Sequence, residues 1–340
     1  MKKAAVTCVV IAVILLAVAV RAQAQQSGKV PLVGYLSGAA ARGQEFFMEG
    51  LGELGYVNGE TFALIVRFSG RRPELLPKLA AELVNLKVSV IVATSEMAAQ
   101  AAKDATSTIP IVVVAGTDLV KNGLVTSLAR PGGNITGITF FDQELAGKQL
   151  ELVKEAAPTV SRVGVFWNSE NVTGGLIFKQ LEAVAPALGV ELYSMDMRWT
   201  KLTPGCRMVW LGTDCPDFDK ALKAAIQSGV GAFMVVASTF HFPPLLTHIL
   251  ELLTKTRLLA LYNREEWVSR GGMMFYGPSR KDMLRRAATY ADKILKGEKP
   301  GDLPVERPTK FDFTVNLRAA KEIGLTIPPN VLVRATRVIQ

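Results

Sequence analysis

Val88-Ser89-Val90-Ile91-Val92-Ala93-Thr94-Ser95-Glu96 decides the fold. A β-branched, uncharged run ends at two small hydroxyl residues and an acid. That is how a buried strand passes into a capped helix. Glu96 to Ala105 reads as the helix, and Ile111-Val112-Val113-Val114-Ala115 as the next buried strand. A strand, a helix and a strand in this order form the crossover unit of a parallel sheet.

The same alternation runs outward in both directions. On the N-terminal side, Val30 to Leu36 and Phe62 to Phe68 read as strands, and Pro73 to Leu86 as a helix. Gln44 to Gly55 reads as a helix with Phe47, Leu51 and Leu54 on one face and Gly55 as its stop. On the C-terminal side, Arg130-Pro131-Gly132-Gly133-Asn134 is a dense turn signal, followed by extended chain at Ile135 to Thr139. The series then restarts. Helices are predicted over 143–157, 175–188, 218–228 and 244–254, and strands over 162–167, 190–195, 232–237, 258–261 and 272–276. The result is two α/β series joined near 135–140, each with a mostly parallel sheet and helices on both faces. Arg280 to Leu295 reads as a long amphipathic helix, with a short strand at Phe311 to Val315 and a helix at Arg318 to Ile323. This tail is expected to return to the first lobe and close a second crossover.

The first residues predict where the chain works. Met1-Lys2-Lys3 is a basic head, Ala4 to Val20 an uncharged apolar run, and Ala22-Gln23-Ala24 a small-residue cleavage site. That is the layout of a secretory signal peptide, so residues 1–24 are expected to be removed. Cys8 lies inside the apolar run, far from the cleavage point, and is not a lipid-attachment residue. The mature protein is expected in the periplasm, exported and not lipid-anchored. No later stretch is long and apolar enough to span a bilayer.

Composition narrows the function. The full chain of 340 residues carries +9; without Lys2, Lys3 and Arg21 it keeps 36 basic and 30 acidic residues, or +6. The basic residues are scattered and not interleaved with aromatics, which argues against nucleic acid. The mature chain has two cysteines, Cys206 and Cys215, and the whole chain two histidines, His241 and His248. A disulfide and two free thiols both remain open, whereas a zinc site, needing about four ligands, is disfavoured. No glycine-rich dinucleotide fingerprint, P-loop, His-Glu-x-x-His or Gly-x-Ser-x-Gly motif appears, so neither a cofactor nor catalysis is expected. His241 and His248 read as structural, and Glu265-Glu266 as a solvated helix face.

Open α/β sheets bind ligands beyond the carboxyl ends of their strands, where helix N-termini offer free N–H groups. Four small-polar clusters fall there: Thr94 with Ser95, Thr117 with Asp118, Asn168 with Ser169, and Ser238 with Thr239. Each alone is equally an ordinary helix cap, worth about 1 kcal/mol to the fold. Two clusters from each series point to a shared cleft. Asp118 is a candidate for a ligand ammonium, or an ordinary turn residue. Tyr35, Phe141 and Tyr276 are candidate apolar walls.

The chain resembles the bacterial ABC-transporter substrate-binding proteins whose characterised members bind aromatic amino acids, tryptophan in particular. The residues that carry the likeness span nearly the whole mature chain. They include Gly50 to Tyr56, Thr108 to Val112, Ser127 to Gly137, Leu295 to Pro300, Asp302 to Val305, Pro308 to Phe311, Ala320 to Leu325 and Ile327 to Pro329. The resemblance implies a type I periplasmic-binding-protein fold with its ligand cleft between two lobes. Lobe 1 would hold residues 29–138 with about 277–304, and lobe 2 residues 139–276 with about 305–340. It implies a small-molecule ligand, an ABC permease with its cytoplasmic ATPase, and a monomer. The family's cleft loops correspond to Ser37, Thr94 with Ser95, Asp118, and Asn168 with Ser169. The chain departs from the family pattern over Trp199 to Cys215, which is extra, and over Ser238 to Pro244, where the helix start is less polar.

The leading expectation is a receptor for import of a carboxylate-bearing solute, such as an amino acid. A ligand-sensing subunit of a membrane signalling system is the alternative, and a secreted hydrolase acting through Ser95 or Ser169 a distant third.

Overall fold

A computed structural model describes residues 30–38, 43–70, 72–140, 143–169, 172–197, 216–236 and 243–340. The signal segment, Cys206, Cys215, Ser238, Thr239, His241, Phe141 and the stretch from Trp199 to Cys215 lie outside the described residues. Two sheets organise the rest. The first comprises β1 (Leu32–Ser37), β2 (Ala63–Phe68), β3 (Val90–Ala93), β4 (Ile111–Ala115) and β5 (Ile135–Thr139), in the order β2-β1-β3-β4-β5. Every pairing in it is parallel. Helices α1 (Gln44–Glu53), α2 (Leu76–Asn85) and α3 (Glu96–Ala105) cross between its strands. β3, β4 and β5 are buried along their whole length, which explains why their sequences are uniformly apolar or β-branched, not alternating.

The second sheet has seven strands in the order β12-β11-β10-β9-β8-β6-β7. They are β6 (Arg162–Trp167), β7 (Glu191–Asp196), β8 (Ala232–Val235), β9 (Leu259–Tyr262), β10 (Met274–Pro278), β11 (Phe311–Asn316) and β12 (Arg337–Ile339). Only the β10–β11 pair is antiparallel. Helices α4 (Gln143–Ala156), α5 (Val172–Val184), α6 (Pro216–Gln227), α7 (Pro243–Lys255) and the short α8 (Glu265–Val268) belong to this lobe. His248 on α7 is part of its packing: the ring tilts against Phe218 at 6.2 Å, with Nε2 3.5 Å from Asp219 Oδ1.

After β10 the chain leaves this lobe. Helix α9 (Arg280–Leu295) buries Met283, Leu284, Ala287, Ala288, Tyr290, Ala291 and Ile294 in one core with Tyr35, Phe47, Val112 and Ile138 of the first lobe. The spacing of those residues is the helical stripe that the sequence advertised. Leu303 and Val305 stay with the first lobe. The chain then recrosses to β11 and ends in α10 (Leu317–Glu322), α11 (Pro329–Leu332) and β12. The tail is thus divided, its helix returning to the first lobe and its strands completing the second sheet.

Ile135 to Thr139 is more than the extended joint expected from sequence, because it forms the fifth strand of the first sheet. Thr136 Oγ1 donates to the Leu303 carbonyl at 2.7 Å. Gly137 has φ +138, and a Cβ there would lie 2.1 Å from the Val113 carbonyl oxygen. Only glycine lets β5 approach β4 so closely.

The lobes are linked by three crossings, and all of them join carboxyl edges. The first leaves β5 after Thr139 and the second leaves β10 after Pro278. The third runs beside both: Thr139 donates to the Glu306 carbonyl at 2.9 Å, Glu306 to the Gly137 carbonyl at 2.9 Å, and Ser279 to the Lys310 carbonyl at 2.9 Å. Arg286 grips Glu306 through two hydrogen bonds of 2.7 and 2.6 Å. Lys310 reaches Asp282 at 2.7 Å. No helix among the described residues is long and apolar enough to cross a membrane.

Candidate functional site

Strand order reverses between β1 and β3 in the first sheet and between β6 and β8 in the second. Such switch points leave a crevice at the carboxyl ends of the two strands. In the first lobe the crevice lies between Ser37-Gly38 and Thr94-Ser95. Ser37 is 2% exposed, its carbonyl accepts from the Ser69 N–H at 3.0 Å, and Ser69 Oγ donates to the Gly38 carbonyl at 2.9 Å. Ser95 is the N-cap of α3; it has extended backbone and its Oγ accepts from the Ala98 N–H at 3.2 Å. The Thr-Ser-Glu start therefore folds as its sequence indicated, with Ser95 as the cap. Thr94 donates its N–H to the Leu36 carbonyl at 3.0 Å.

Tyr35, two residues before Ser37 in β1, is fully buried. Burial, opposed by the nearby Arg280 charge and a hydrogen bond with Thr94, pushes its hydroxyl up to about 12. It stays a neutral donor throughout physiological pH. Tyr35 is core, packed against Phe47 at 6.0 Å, and is not a wall of the crevice.

The end of β4 forms the next corner. Gly116 lies against the Phe140 ring, which a Cβ would meet at 2.4 Å. Thr117 is buried; its Oγ1 accepts from Asn122 Nδ2 at 2.5 Å and its carbonyl accepts from Thr139 Oγ1 at 2.6 Å. Asn122 Nδ2 also donates to Glu96 Oε1 at 2.7 Å, tying this corner to the start of α3. Asp118 Oδ1 accepts from the N–H groups of Val120 (3.2 Å) and Lys121 (3.1 Å). Asp118 thus holds a turn, as Asp commonly does after a strand.

In the second lobe Asn168 is 1% exposed and Ser169 exposed at the end of β6. Ser169 is bound twice by Asp196, which terminates β7: its N–H donates to Oδ1 at 2.9 Å and its hydroxyl to Oδ2 at 2.7 Å. Beside them, Trp167 stacks on Phe178 at 4.4 Å and 6°, and its Nε1 donates to Ser194 Oγ at 2.8 Å. Tyr276, half-buried in β10, stacks on Phe311 at 5.8 Å, while its carbonyl accepts from Gln149 Nε2 at 2.7 Å. Ser238 lies outside the described residues.

The structure therefore gathers Ser37, Thr94 and Ser95 at one switch point, with Thr117 and Asp118 on the adjacent strand end. It places Asn168 and Ser169 at the other switch point and Tyr276 by the second crossing. Sequence reading missed Asp196, Asn122, Phe140 and Arg280. Asp196 and Arg280 were visible only as the residue after a strand and the first residue of a helix. Their places at the crevice depend on strand register and on the return of α9.

The comparisons with known proteins agree with this architecture. The family model for ABC transporter substrate binding proteins matches residues 35–202 and 234–339. A tyrosine-binding protein of Clostridioides difficile (strain R20291) is 25% identical over 281 residues, covering 82% of this chain and 75% of that protein. An ABC domain from Streptococcus pneumonia, solved in complex with L-Trp, superposes with a TM-score of 0.76 at 22% identity, covering 92% of this chain and 100% of that one. The ligand-free, open structure of a substrate-binding protein with adhesive properties from Clostridium difficile superposes with a TM-score of 0.71 at 22% identity, again over 92% and 100%. Two parallel-sheet lobes joined in this way are the type I periplasmic-binding-protein fold.

Proposed function

The chain belongs to the ABC transporter substrate-binding protein family, and from that premise we propose that it is the extracytoplasmic receptor of an ABC importer for an aromatic amino acid. The observation that carries the reading is the direction of the crossings. All three connect carboxyl edges, so the switch point of each sheet opens toward the other lobe. A solute entering there meets hydroxyl and amide groups from both lobes, and hinge closure about the crossings encloses it. The tyrosine-binding relative and the neighbour holding L-Trp support the amino-acid class.

In this reading Ser37, Thr94, Ser95, Thr117 and Asp118 line the first side of the cleft, and Asn168, Ser169, Ser238 and Tyr276 the second. The lobes part near residues 140, 279 and 307. The protein acts as a monomer without catalysis or a cofactor, and hands its ligand to a membrane permease driven by a cytoplasmic ATPase. Export follows cleavage near Ala24 and leaves the protein free in the periplasm.

A thermal-shift panel of the common amino acids tests the reading. A ligand at about 100 times its Kd adds about 2.7 kcal/mol to stability. For a chain of this size that raises Tm by about 5 °C. L-Tyrosine, L-tryptophan or L-phenylalanine should give the largest rise, and a panel with no rise for any amino acid would sink the proposal.

A further inference from the structure

Tyr35, Val92, Val114 and Ile138 stand on neighbouring strands of the first sheet and share one core. Residues two apart along a strand share a face. Two residues further on in each strand come Ser37, Thr94, Gly116 and Phe140. The ladder still holds there: Thr94 donates its N–H to the Leu36 carbonyl at 3.0 Å, and Phe140 to the Ala115 carbonyl at 3.1 Å. That face of the sheet therefore ends, at its carboxyl edge, in two hydroxyls, a bare glycine and an aromatic ring. The ring lies over the glycine. A Cβ on Gly116 would meet three Phe140 ring atoms at 2.4, 2.9 and 3.0 Å. Gly116 is not in the left-handed region, so the ring and not the backbone calls for glycine here. Phe140 packs against the edge of the core yet is only half-buried. It is also the first residue of the first crossing, where the chain passes from one lobe to the other. β3 and β5 lie two strand spacings apart, about 10 Å. An aromatic amino acid spans that reach from its carboxylate to the far side of its ring.

We propose that Phe140 is a specificity-determining residue whose ring, seated on Gly116, is the surface against which the ligand's aromatic side chain stacks. The assignment rests on the aromatic amino-acid reading above. Hydroxyls such as that of Thr94 answer to the amino and carboxylate groups that every amino acid carries, so they do not select a side chain. An aromatic ring does, because paired rings gain beyond the area they bury. Gly116 is a positioning residue and acts only through Phe140.

Calorimetric titration with L-phenylalanine, L-tyrosine, L-tryptophan and L-cyclohexylalanine tests the assignment. The last has the size of phenylalanine without an aromatic face. Phe140→Leu keeps an apolar side chain and removes the ring. It should weaken the aromatic ligands by about 2- to 10-fold, the range for an aromatic pair, and L-cyclohexylalanine by less than about twofold. Phe140→Tyr keeps the ring and should bind the aromatic ligands within about twofold of wild type. Gly116→Ala pushes the ring aside without altering it, and serves if Phe140→Leu fails to fold. It should repeat the loss for the aromatic ligands. Equal losses for the aromatic ligands and L-cyclohexylalanine, a Phe140→Tyr protein as weak as Phe140→Leu, or undiminished aromatic binding in the folded Phe140→Leu protein would overturn the assignment. A wild-type protein that binds no aromatic amino acid overturns the aromatic reading itself, and this assignment with it.

Discussion

The two lobes share a topology and differ in the chemistry of their switch points. In the first, the groups beside β1 and β3 bond to backbone: Ser95 caps α3, Thr94 donates to the Leu36 carbonyl, and Ser69 reaches the Gly38 carbonyl. In the second, the corresponding serine is bound by a carboxylate. A difference of supply accompanies this. The first lobe takes much of one core face from α9, far along the chain, whereas most strands and helices of the second come from one stretch. The parallel α/β plan fixes where a crevice forms, and a few residues at strand ends fix which polar groups stand beside it.

The largest effect is expected where the first lobe borrows its core. Leu284, 1% exposed on α9, packs among first-lobe side chains. Leu284→Ala should cost about 2–5 kcal/mol in chemical denaturation. If the cost were near zero, α9 would not be part of that core. Ser95→Ala should cost about 1 kcal/mol, the value of an N-cap. By contrast Ser169→Ala, at an exposed corner, should change stability by no more than about 0.5 kcal/mol. Urea titrations of the two serine variants side by side would break the comparison if Ser169→Ala proved the more destabilising.

Between these lies the ion pair at the third crossing. Arg286 beside Glu306 holds that carboxyl below the usual carboxylate range, mainly through their hydrogen bonds. A depressed carboxylate contributes stability above its unfolded pKa, about 4.3, and that contribution is lost as pH falls through the lower folded value. The pair is partly exposed, so Glu306→Gln should cost less than about 1 kcal/mol at pH 7. The cost should shrink below about pH 4 as the wild-type carboxyl takes up its proton. Thermal melts of both proteins from pH 7 to pH 3 check this, and a cost that grows on acidification would contradict it.

How far these features were legible depends on whether a residue answers to its neighbours in sequence. The strand at Val90 to Ala93 and the Ser95 cap are local matters, and both were readable from a few adjacent residues. Asp118 was readable as a turn residue for the same reason. Ile135 to Thr139 was readable as extended chain but not as a sheet strand, because its partners Val113 and Leu303 are distant in sequence. Asp196 was invisible as a partner of Ser169, since only the register of β7 on β6 brings the two together. The amphipathic stripe of α9 was plain, but the surface it covers was not, since nothing within residues 280–295 names its partner.

That returning helix also bears on the order in which the protein is made. Residues 30–139 leave the ribosome before the second lobe, yet one face of their sheet, covered in part by α1, is completed only when α9 follows. The third crossing, which pairs with Gly137 and Thr139, comes later still. Domains usually fold as units during synthesis, N-terminal first. Here the lobe begun first is completed only after the body of the second has been synthesised, so a nascent chain stopped before α9 should leave the core that Phe47 shares with Val33, Val90 and Val112 partly exposed.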